Sequence, residues 1–310
     1  MVAGSSAFTR VAARALVAGA VTSAACLAYG AGYEVRAFRL RRATVPVLPA
    51  GQRPLRVLHL SDLHLTLGQD KKRAWVRSLA RLEPDLVVNT GDTLAHPRAV
   101  PDVLDALGPL LELPGVFVLG SNDYYAPSVK NPFLYLVGGT GDDARRTPTH
   151  RAVPDLPWQD LVDGMSRQGW VDLSNTTGRL QVDGRELAFR GVDDPHVRRD
   201  RYERVAGPPE DDADLAVGVV HAPYLRVVDS MAADRLPLVL AGHTHGGQLC
   251  VPGWGALVSN CDLPPRRAKG LSRHAEDTWL HVSAGIGTSP YAPVRFACYP
   301  EATLLTLTSR

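Results

Sequence analysis

Five apolar segments along this chain each end in a short polar cluster, and this recurrence constrains the fold more than any other feature of the sequence. The segments are rich in Val and Leu, as buried strands are. Stretches with helical composition or spacing, such as residues 71–82 and 100–113, separate several of them. Strands that alternate with helices predict an α/β fold. The five segments cover residues 55–60, 85–89, 116–119, 215–220 and 236–241.

The clusters that follow these segments contain side chains suited to a metal site. Functional groups of open α/β folds lie beyond the carboxyl ends of the strands, so we expect the clusters to meet there. Carboxylate, imidazole and carboxamide ligands suit divalent Mn, Fe, Zn or Ni, and no thiolate among them indicates a structural zinc site. The clusters are Asp62-Leu63-His64, Gly91-Asp92, Gly120-Ser121-Asn122-Asp123, His221 and Gly242-His243-Thr244-His245.

An uncharged run, residues 15–33, lies between two groups of arginines near the N-terminus. A helix of this length spans about 28 Å, close to the hydrocarbon thickness of a bilayer. We expect an N-terminal membrane segment with its basic flank at 1–44, and a cleaved signal peptide or a non-membrane helix remain alternatives. The side of the membrane stays open. A Pro-containing linker at 45–54 and one domain at 55–310 complete the expected organisation.

The charge balance argues against a nucleic-acid-binding protein. Residues 1–45 carry six arginines and one acid, Glu34, so the remaining chain has a net charge of −3. That part lacks the basic excess with which nucleic-acid binders displace counterions. Between the third and fourth segments, residues 126–157 are rich in Pro, Gly and charge, and they predict a long loop beside the site.

The polar clusters, taken in order, resemble the motifs of the calcineurin-like metallophosphoesterase superfamily. The resemblance covers about residues 55–300 and is nearest to the bacterial membrane-associated branch, through Ser61-Asp62-Leu63-His64 and Gly242-His243-Thr244-His245-Gly246-Gly247-Gln248. It implies a four-layer αββα sandwich, two β-sheets flanked by helices, preceded here by an N-terminal hydrophobic helix. It also implies a phosphate-ester hydrolase in which two divalent metal ions activate a hydroxide as nucleophile.

The same resemblance implies how the ligands divide between the two ions. Asp62, His64 and His245 hold one ion, and Asp92 bridges both. The other ion is held by His221, His243 and Asn122. The candidate catalytic side chains are Asp123, Asn122 and His243.

One cluster departs from the family pattern. The third motif of the family reads Gly-Asn-His-Asp/Glu, and its His is thought to protonate the leaving group, whereas this chain has Gly120-Ser121-Asn122-Asp123. Without a gap, Ser121 takes the ligand position. Shifted by one residue, Asn122 is the ligand and Asp123 takes the place of the acid. We prefer the shift, because an amide oxygen is a better ligand than a neutral hydroxyl; in both cases the imidazole acid is missing.

The expected substrate is a phosphodiester or a phosphomonoester, and the membrane segment makes a lipid-linked ester one candidate. A non-catalytic metal-binding module and a nuclease are the alternative functions, and no nucleic-acid partner is expected. The metal identity and the oligomeric state stay open. The basic run Arg266, Arg267 and Lys269 is either a solvated face or a site for an anionic headgroup. We interpret His59 and His281 as structural residues. For His196, in Asp193-Asp194-Pro195-His196, we prefer a structural role, and a position at the border of the site is the alternative.

Overall fold

The computed structural model describes residues 3–128 and 153–310, and it describes side chains from residue 13 onward. The central part of the loop expected at 126–157 therefore lies outside the described residues. The α-helices of the described part are α1 (Ala3–Gly32), α2 (Asp70–Ser78), α3 (Val100–Leu107), α4 (Ser121–Tyr124), α5 (Trp158–Ser166) and α6 (Leu225–Ala233).

The first sheet has six strands in the order β1–β14–β2–β3–β4–β5. Strands β2 to β5 are parallel to one another, β14 is antiparallel to β2, and β1 is parallel to β14. Their bounds are β1 (Arg39–Leu48), β2 (Leu55–Leu60), β3 (Leu86–Asn89), β4 (Gly115–Phe117), β5 (Val171–Asp172) and β14 (Glu301–Ser309).

The second sheet also has six strands, in the order β12–β13–β9–β8–β7–β6. Strands β7, β8, β9 and β13 are parallel, and β6 and β12 close the two edges as antiparallel strands. Their bounds are β6 (Thr176–Val182), β7 (Arg185–Gly191), β8 (Leu215–Val220), β9 (Leu238–Ala241), β12 (Gly270–Arg273) and β13 (Trp279–Val282). A short hairpin of β10 (Cys250–Val251) and β11 (Gly255–Ala256) stands apart from both sheets.

Three apolar layers hold the two sheets and the helices together. The central layer lies between the two sheets, where Val57 and Val88 of the first sheet pack in one cluster with Val217 and Leu240 of the second. Helices α2, α3 and α5 cover the outer face of the first sheet, and α6 covers the outer face of the second. The αββα sandwich implied by the sequence is confirmed.

Parallel pairing brings the polar clusters to one edge of each sheet. In the first sheet Leu60, the last residue of β2, is in register with Asn89, the last residue of β3. In the second sheet Val220 ends β8 opposite Ala241 of β9. In each sheet, the clusters that directly follow these paired strands therefore lie at the same edge, as expected from the sequence.

The N-terminal boundary of the domain differs from the expectation. The end of β1, Val45 to Leu48, falls within the expected linker 45–54, and its side chains at 45, 47 and 48 are buried in the central layer. Pro46 is tolerated because β1 is an edge strand with a register shift between Pro46 and Leu48. Before β1, one stretch that begins within α1 and ends just after it, Ala13–Arg36, is long and apolar enough to cross a membrane.

Candidate metal centre

The backbone is left-handed at five of the seven expected metal ligands. The five φ angles, at Asp62, His64, Asp92, His243 and His245, lie between 43° and 69°. Residues with a Cβ rarely adopt this conformation, and each instance costs on the order of 1–2 kcal/mol. The fold therefore holds these five side chains in a strained arrangement, which is typical of a functional site.

Asp62, His64 and His245 form the first ligand group, and one donor atom from each lies within 4.8 Å of the others. The Nε2 atoms of His64 and His245 are 3.2 Å apart, and His245 Nε2 is 3.7 Å from Asp62 Oδ1. Burial lowers the pKa of His64 to about 4 and holds that of His245 well below its usual range. Both imidazoles are therefore neutral near pH 7, with ring nitrogens directed at one point beside a carboxylate.

Asp62, Asp92 and His221 form the second group within the same 4.8 Å limit. His221 Nδ1 is 2.7 Å from the Thr90 carbonyl oxygen, to which it donates, so Nε2 faces Asp92 Oδ1 at 3.5 Å. Among the described residues, this buried Nε2 has no hydrogen-bond partner. A ring fixed through one nitrogen, with the other nitrogen directed at a carboxylate, is the usual arrangement of a metal-binding histidine.

His243 lies beside this second group. Its Nε2 is 3.1 Å from the Asn260 carbonyl oxygen and donates to it, which leaves Nδ1 as the ring nitrogen able to bind a cation. The rings of His243 and His221 are 5.2 Å apart. The backbone N–H of His243 donates to Asp62, so the turn that carries His243 also orients a ligand of the first group.

Asp92 connects the two groups. Its Oδ2 is 3.5 Å from His64 Nε2, while its Oδ1 is 3.5 Å from His221 Nε2. Burial opposes ionisation of Asp92, but the positive charge on His221 and the hydrogen bond from the Asn122 backbone N–H outweigh it, so the pKa of Asp92 lies well below its usual value. Burial raises the pKa of Asp62 to about 6. Asp92 is thus the more strongly anionic carboxylate at the centre.

Gly242 permits the close approach of the two sheets at this point. A Cβ built on Gly242 would collide with Ser61 Oγ and would lie 2.7 Å from Asp62 Oδ2. Any side chain here would push Asp62 away from His243 and His245. The glycine of the fifth cluster is therefore a steric requirement of the ligand geometry.

The third cluster meets the site through Asn122. Asn122 donates from its backbone N–H to Asp92 Oδ1 at 2.8 Å and from Nδ2 to Asp92 Oδ2 at 2.7 Å. Asp123 is fully buried, and it accepts hydrogen bonds from the backbone N–H groups of Thr93, Leu94 and Gly120. Burial and the neighbouring Asp92 raise the pKa of Asp123 to about 7. Asp123 ties α4 to the loop after β3, while Asn122 is the residue that contacts Asp92.

Two further residues, His196 and Asp194, border the site. The sequence analysis did not count either of them among the candidate site residues. The ring of His196 lies 4.4 Å from that of His243, and its Nδ1 is 3.0 Å from the Tyr224 hydroxyl. Asp194 is fully buried, its negative charge contributes to the raised pKa of His221, and it accepts a hydrogen bond from the backbone N–H of His196. The segment Asp193-Asp194-Pro195-His196 carried the only sequence signal, an acidic pair next to a histidine. The structural interpretation of His196 is therefore incomplete.

The donor set fits divalent cations. It consists of two buried carboxylates and four imidazoles, and its nitrogens are either fixed in orientation by carbonyl oxygens or face a carboxylate. Hard and borderline divalent ions such as Mn, Fe, Ni and Zn accept this mixture of oxygen and nitrogen ligands. The buried Nε2 of His221, unpartnered within the described chain, is the atom that a cation would satisfy.

Comparisons with known proteins cover the part of the chain that carries the strands and clusters described above. A family model described as calcineurin-like phosphoesterase matches residues 55–247. A bovine transmembrane protein with metallophosphoesterase domain is 29% identical over 280 residues, which cover 85% of this chain and 55% of that protein. The metallophosphoesterase YkuE of Bacillus subtilis is 24% identical over 95% of this chain and 94% of its own length.

A bacterial enzyme and a plant structure complete the comparison. The phosphodiesterase YaeI of Escherichia coli is 26% identical over 87% of this chain and 88% of its own length. The structure of a purple acid phosphatase from yellow lupin seeds aligns with a TM-score of 0.42 and 9% identity, covering 84% of this chain and 55% of that one. This chain thus spans about half the length of the bovine relative and most of the length of the two bacterial ones.

Proposed function

Because the chain belongs to the calcineurin-like phosphoesterase family and is thus a metal-dependent phosphate-ester hydrolase, we propose that its reaction takes place at a centre of two divalent cations bridged by Asp92. The observation that supports a dinuclear centre is the position of Asp92. Its two carboxylate oxygens face two different histidines, His64 and His221, at the same distance of 3.5 Å.

In this proposal Asp62, His64 and His245 hold one cation, and His221, His243 and Asn122 hold the other together with Asp92. Two cations clamped in this way supply charge stabilisation for a phosphoryl group and a water of lowered pKa. The chain's own contribution is to fix the ligands. Thr90 orients His221, Asn260 orients His243, and Lys72 donates to the Leu63 carbonyl oxygen at 2.7 Å inside the first cluster.

The leaving-group side of the site differs from the family pattern, and we include His196 in it. Asn122 occupies the position at which the ungapped family motif has its histidine, and both oxygens of Asp123 accept backbone N–H groups. His196, which packs on His243, supplies an imidazole at the same centre from a different loop. We therefore assign Asp123 a positioning role in the proposal and give the contact with the leaving group to His196.

The proposed substrate class is a phosphate diester, with a monoester as the alternative. The name of the Escherichia coli relative, a phosphodiesterase, supports the diester. The candidate span Ala13–Arg36 and the name of the bovine relative, a transmembrane protein, support a membrane-attached enzyme. A single N-terminal membrane segment would keep the metal centre near lipid phosphates, which makes a lipid-linked ester the favoured form.

A metal and activity assay on the purified full chain tests this proposal. We expect two metal ions per chain and manganese-dependent hydrolysis of nitrophenyl phosphodiesters, and both are expected to fall sharply in Asp92→Asn. The matched control is Asp229→Asn, because Asp229 is a surface carboxylate paired with His274. One ion per chain, or equal activity of wild type and Asp92→Asn, would contradict the dinuclear assignment.

A metal-binding module without turnover is the second candidate, and the missing imidazole of the third motif favours it. Its expected result is different from that of the hydrolase. The wild type would bind two ions, Asp92→Asn would lose them, and no nitrophenyl monoester or diester would be cleaved.

A further inference from the structure

Exposed apolar side chains are concentrated on the segment that connects His245 to Asn260. Outside α1 and the residues that immediately follow it, the described chain exposes seven large hydrophobic residues, and four of them lie within residues 249–257. A fifth, Tyr291, precedes Ala292, whose carbonyl oxygen accepts a hydrogen bond from Gln248 at 2.9 Å. Trp254, at the turn of the β10–β11 hairpin, is 81% exposed, and Tyr291 is 57% exposed. We call this group the hairpin patch; it consists of Leu249, Val251, Trp254, Leu257 and Tyr291.

The hairpin patch begins beside the end of the candidate membrane helix. Tyr29, in the last turns of α1, packs edge-on against Phe296 with ring centroids 6.3 Å apart, and its hydroxyl is 3.0 Å from that of Tyr299. Phe296 in turn pairs with Leu249 in an isolated parallel bridge. Only the width of one extended segment therefore separates α1 from the first residue of the patch.

The end of α1 has the composition of a membrane interface. Tyr29 and Tyr33 lie at the C-terminal end of the apolar helix, with their rings 5.4 Å apart, and exposed arginines follow at positions 36, 39 and 42. Aromatic belts followed by basic residues mark the level of the lipid headgroups. Since Phe296 and Leu249 lie at this level, a bilayer crossed by α1 would meet the hairpin patch.

The segment that carries the hairpin patch contacts the candidate metal centre at both of its ends. A Cβ on Gly247, two residues after the ligand His245, would collide with Ala256 of β11, so the hairpin packs directly on the turn of the fifth cluster. At its other end the segment reaches Asn260, whose carbonyl oxygen holds His243 at 3.1 Å. A surface that contacts the hairpin patch therefore meets a segment that directly adjoins His245 and His243.

The chemistry of the patch matches a lipid surface. Trp and Tyr are the side chains that favour the boundary between hydrocarbon and headgroups. The exposed Arg266 stands in a short turn that packs against β11, and it adds positive charge next to the patch. An apolar patch bordered by basic residues favours an anionic membrane over a second copy of this chain, since like-charged rims would face each other in a symmetric contact.

We propose that the hairpin patch inserts into the headgroup region of the membrane that α1 crosses, and that the metal centre thereby acts on a phosphate ester of a membrane lipid. The docking part stands on the patch and its position beside α1. The substrate part rests on the proposed hydrolase function, because it requires that the metal centre cleaves phosphate esters.

Bromine-labelled lipids test the docking without requiring activity. The full chain is placed in nanodiscs of phosphatidylcholine and phosphatidylglycerol, with either ordinary or brominated acyl chains, and compared with Trp254→Phe. The spectrum of the wild type minus that of Trp254→Phe isolates the fluorescence of Trp254. We expect this difference spectrum to be shifted to shorter wavelength and to be lost in brominated discs. An unquenched, water-like spectrum would overturn the docking while leaving the hydrolase assignment untouched.

Charge reversal supplies a second measurement and a matched control. Arg266→Glu is expected to reduce the quenching of Trp254 in discs that contain phosphatidylglycerol, and Arg81→Glu is not, because Arg81 precedes the opposite, N-terminal end of β3. Equal quenching of Trp254 in the two variants would contradict a lipid as the occupant of the hairpin patch. A wild-type dimer in detergent that becomes monomeric in Trp254→Phe would contradict it as well.

The substrate part has its own readout. Wild-type protein in nanodiscs is expected to hydrolyse a phosphodiester lipid of the disc faster than a soluble glycerophosphodiester at equal concentration. A preference for the soluble ester together with a quenched Trp254 would refute the lipid substrate and leave the docking intact. Absence of all hydrolysis would refute the proposed function, and the fluorescence result would still decide the docking.

Discussion

Replacement of Asn122 tests whether the third cluster contributes a metal ligand through this residue. In Asn122→Ala the backbone N–H bond to Asp92 Oδ1 remains, while the Nδ2 bond to Asp92 Oδ2 at 2.7 Å is lost. Partners that orient a metal-binding side chain typically contribute about 10- to 100-fold to metal affinity. Because Asn122→Ala loses such a partner of Asp92 and also removes the amide oxygen proposed as a ligand, we expect metal binding to weaken by at least roughly 10- to 100-fold.

Two neighbouring substitutions separate the possible roles of Asn122. Ser121→Ala should leave the affinity unchanged, because the side chain that contacts Asp92 is that of Asn122. Asn122→Asp should bind manganese at least as tightly as wild type, since a carboxylate beside Asp92 is repelled in the metal-free protein and neutralised by a cation. The order Asn122→Asp, wild type, Asn122→Ala is thus the expected ranking of affinity.

Competition with a fluorescent metal indicator, together with the metal content per chain, measures this ranking. The reasoning would be refuted if Asn122→Ala bound two ions with wild-type affinity while Ser121→Ala lost one. That result would assign the ligand to Ser121, as in the ungapped alignment with the family motif, and the contact of Asn122 with Asp92 would then contribute nothing to metal binding.

The strands and the ligand clusters could be predicted because they depend on local sequence. Each buried strand is an apolar run, and each cluster follows its strand directly, so parallel pairing alone brings the clusters to one edge. His59 and His281 also behave as interpreted: they are buried between the sheets with their Nδ1 atoms 2.8 Å apart.

The parts that could not be predicted depend on contacts between distant segments. His196 belongs to an irregular connection between β7 and β8, where no periodic pattern indicates its position. Asp193 holds that connection against α4, because it accepts a hydrogen bond from the Tyr124 hydroxyl at 3.0 Å and pairs with Arg199 at 2.9 Å. Likewise, the burial of Lys72 against the Leu63 carbonyl oxygen has no signature in a helix of polar composition.

Three further variants test contacts at and below the site. His196→Ala should reduce kcat/KM for alkyl diesters by about 100-fold, which is within the range for loss of an acid–base group. The loss should be far smaller for nitrophenyl diesters, because their leaving group needs little protonation. Equal losses for both substrates would contradict a contact between His196 and the leaving group. Burial lowers the pKa of His281 to about 4, below the usual value of about 6.5. The free energy of unfolding is therefore expected to keep the whole contribution of neutral His281 above pH 6.5 and to lose about 3 kcal/mol of it towards pH 4. In a variant with His59→Leu and His281→Leu, the melting temperature should fall less on acidification than in the wild type. The same pH dependence in both proteins would contradict this. Gly242→Ala should displace Asp62, because the added Cβ would lie 2.7 Å from its Oδ2, and such overpacking costs about 1–3 kcal/mol. Since Asp62 belongs to the first ligand group, that group should lose its ion first. Metal analysis should find fewer ions per chain than in Gly19→Ala, a control in helix α1 where the added Cβ meets no atom within 4 Å. Wild-type metal content in Gly242→Ala would mean that Asp62 can move without loss of the ion, and Asp62 would no longer count as a ligand.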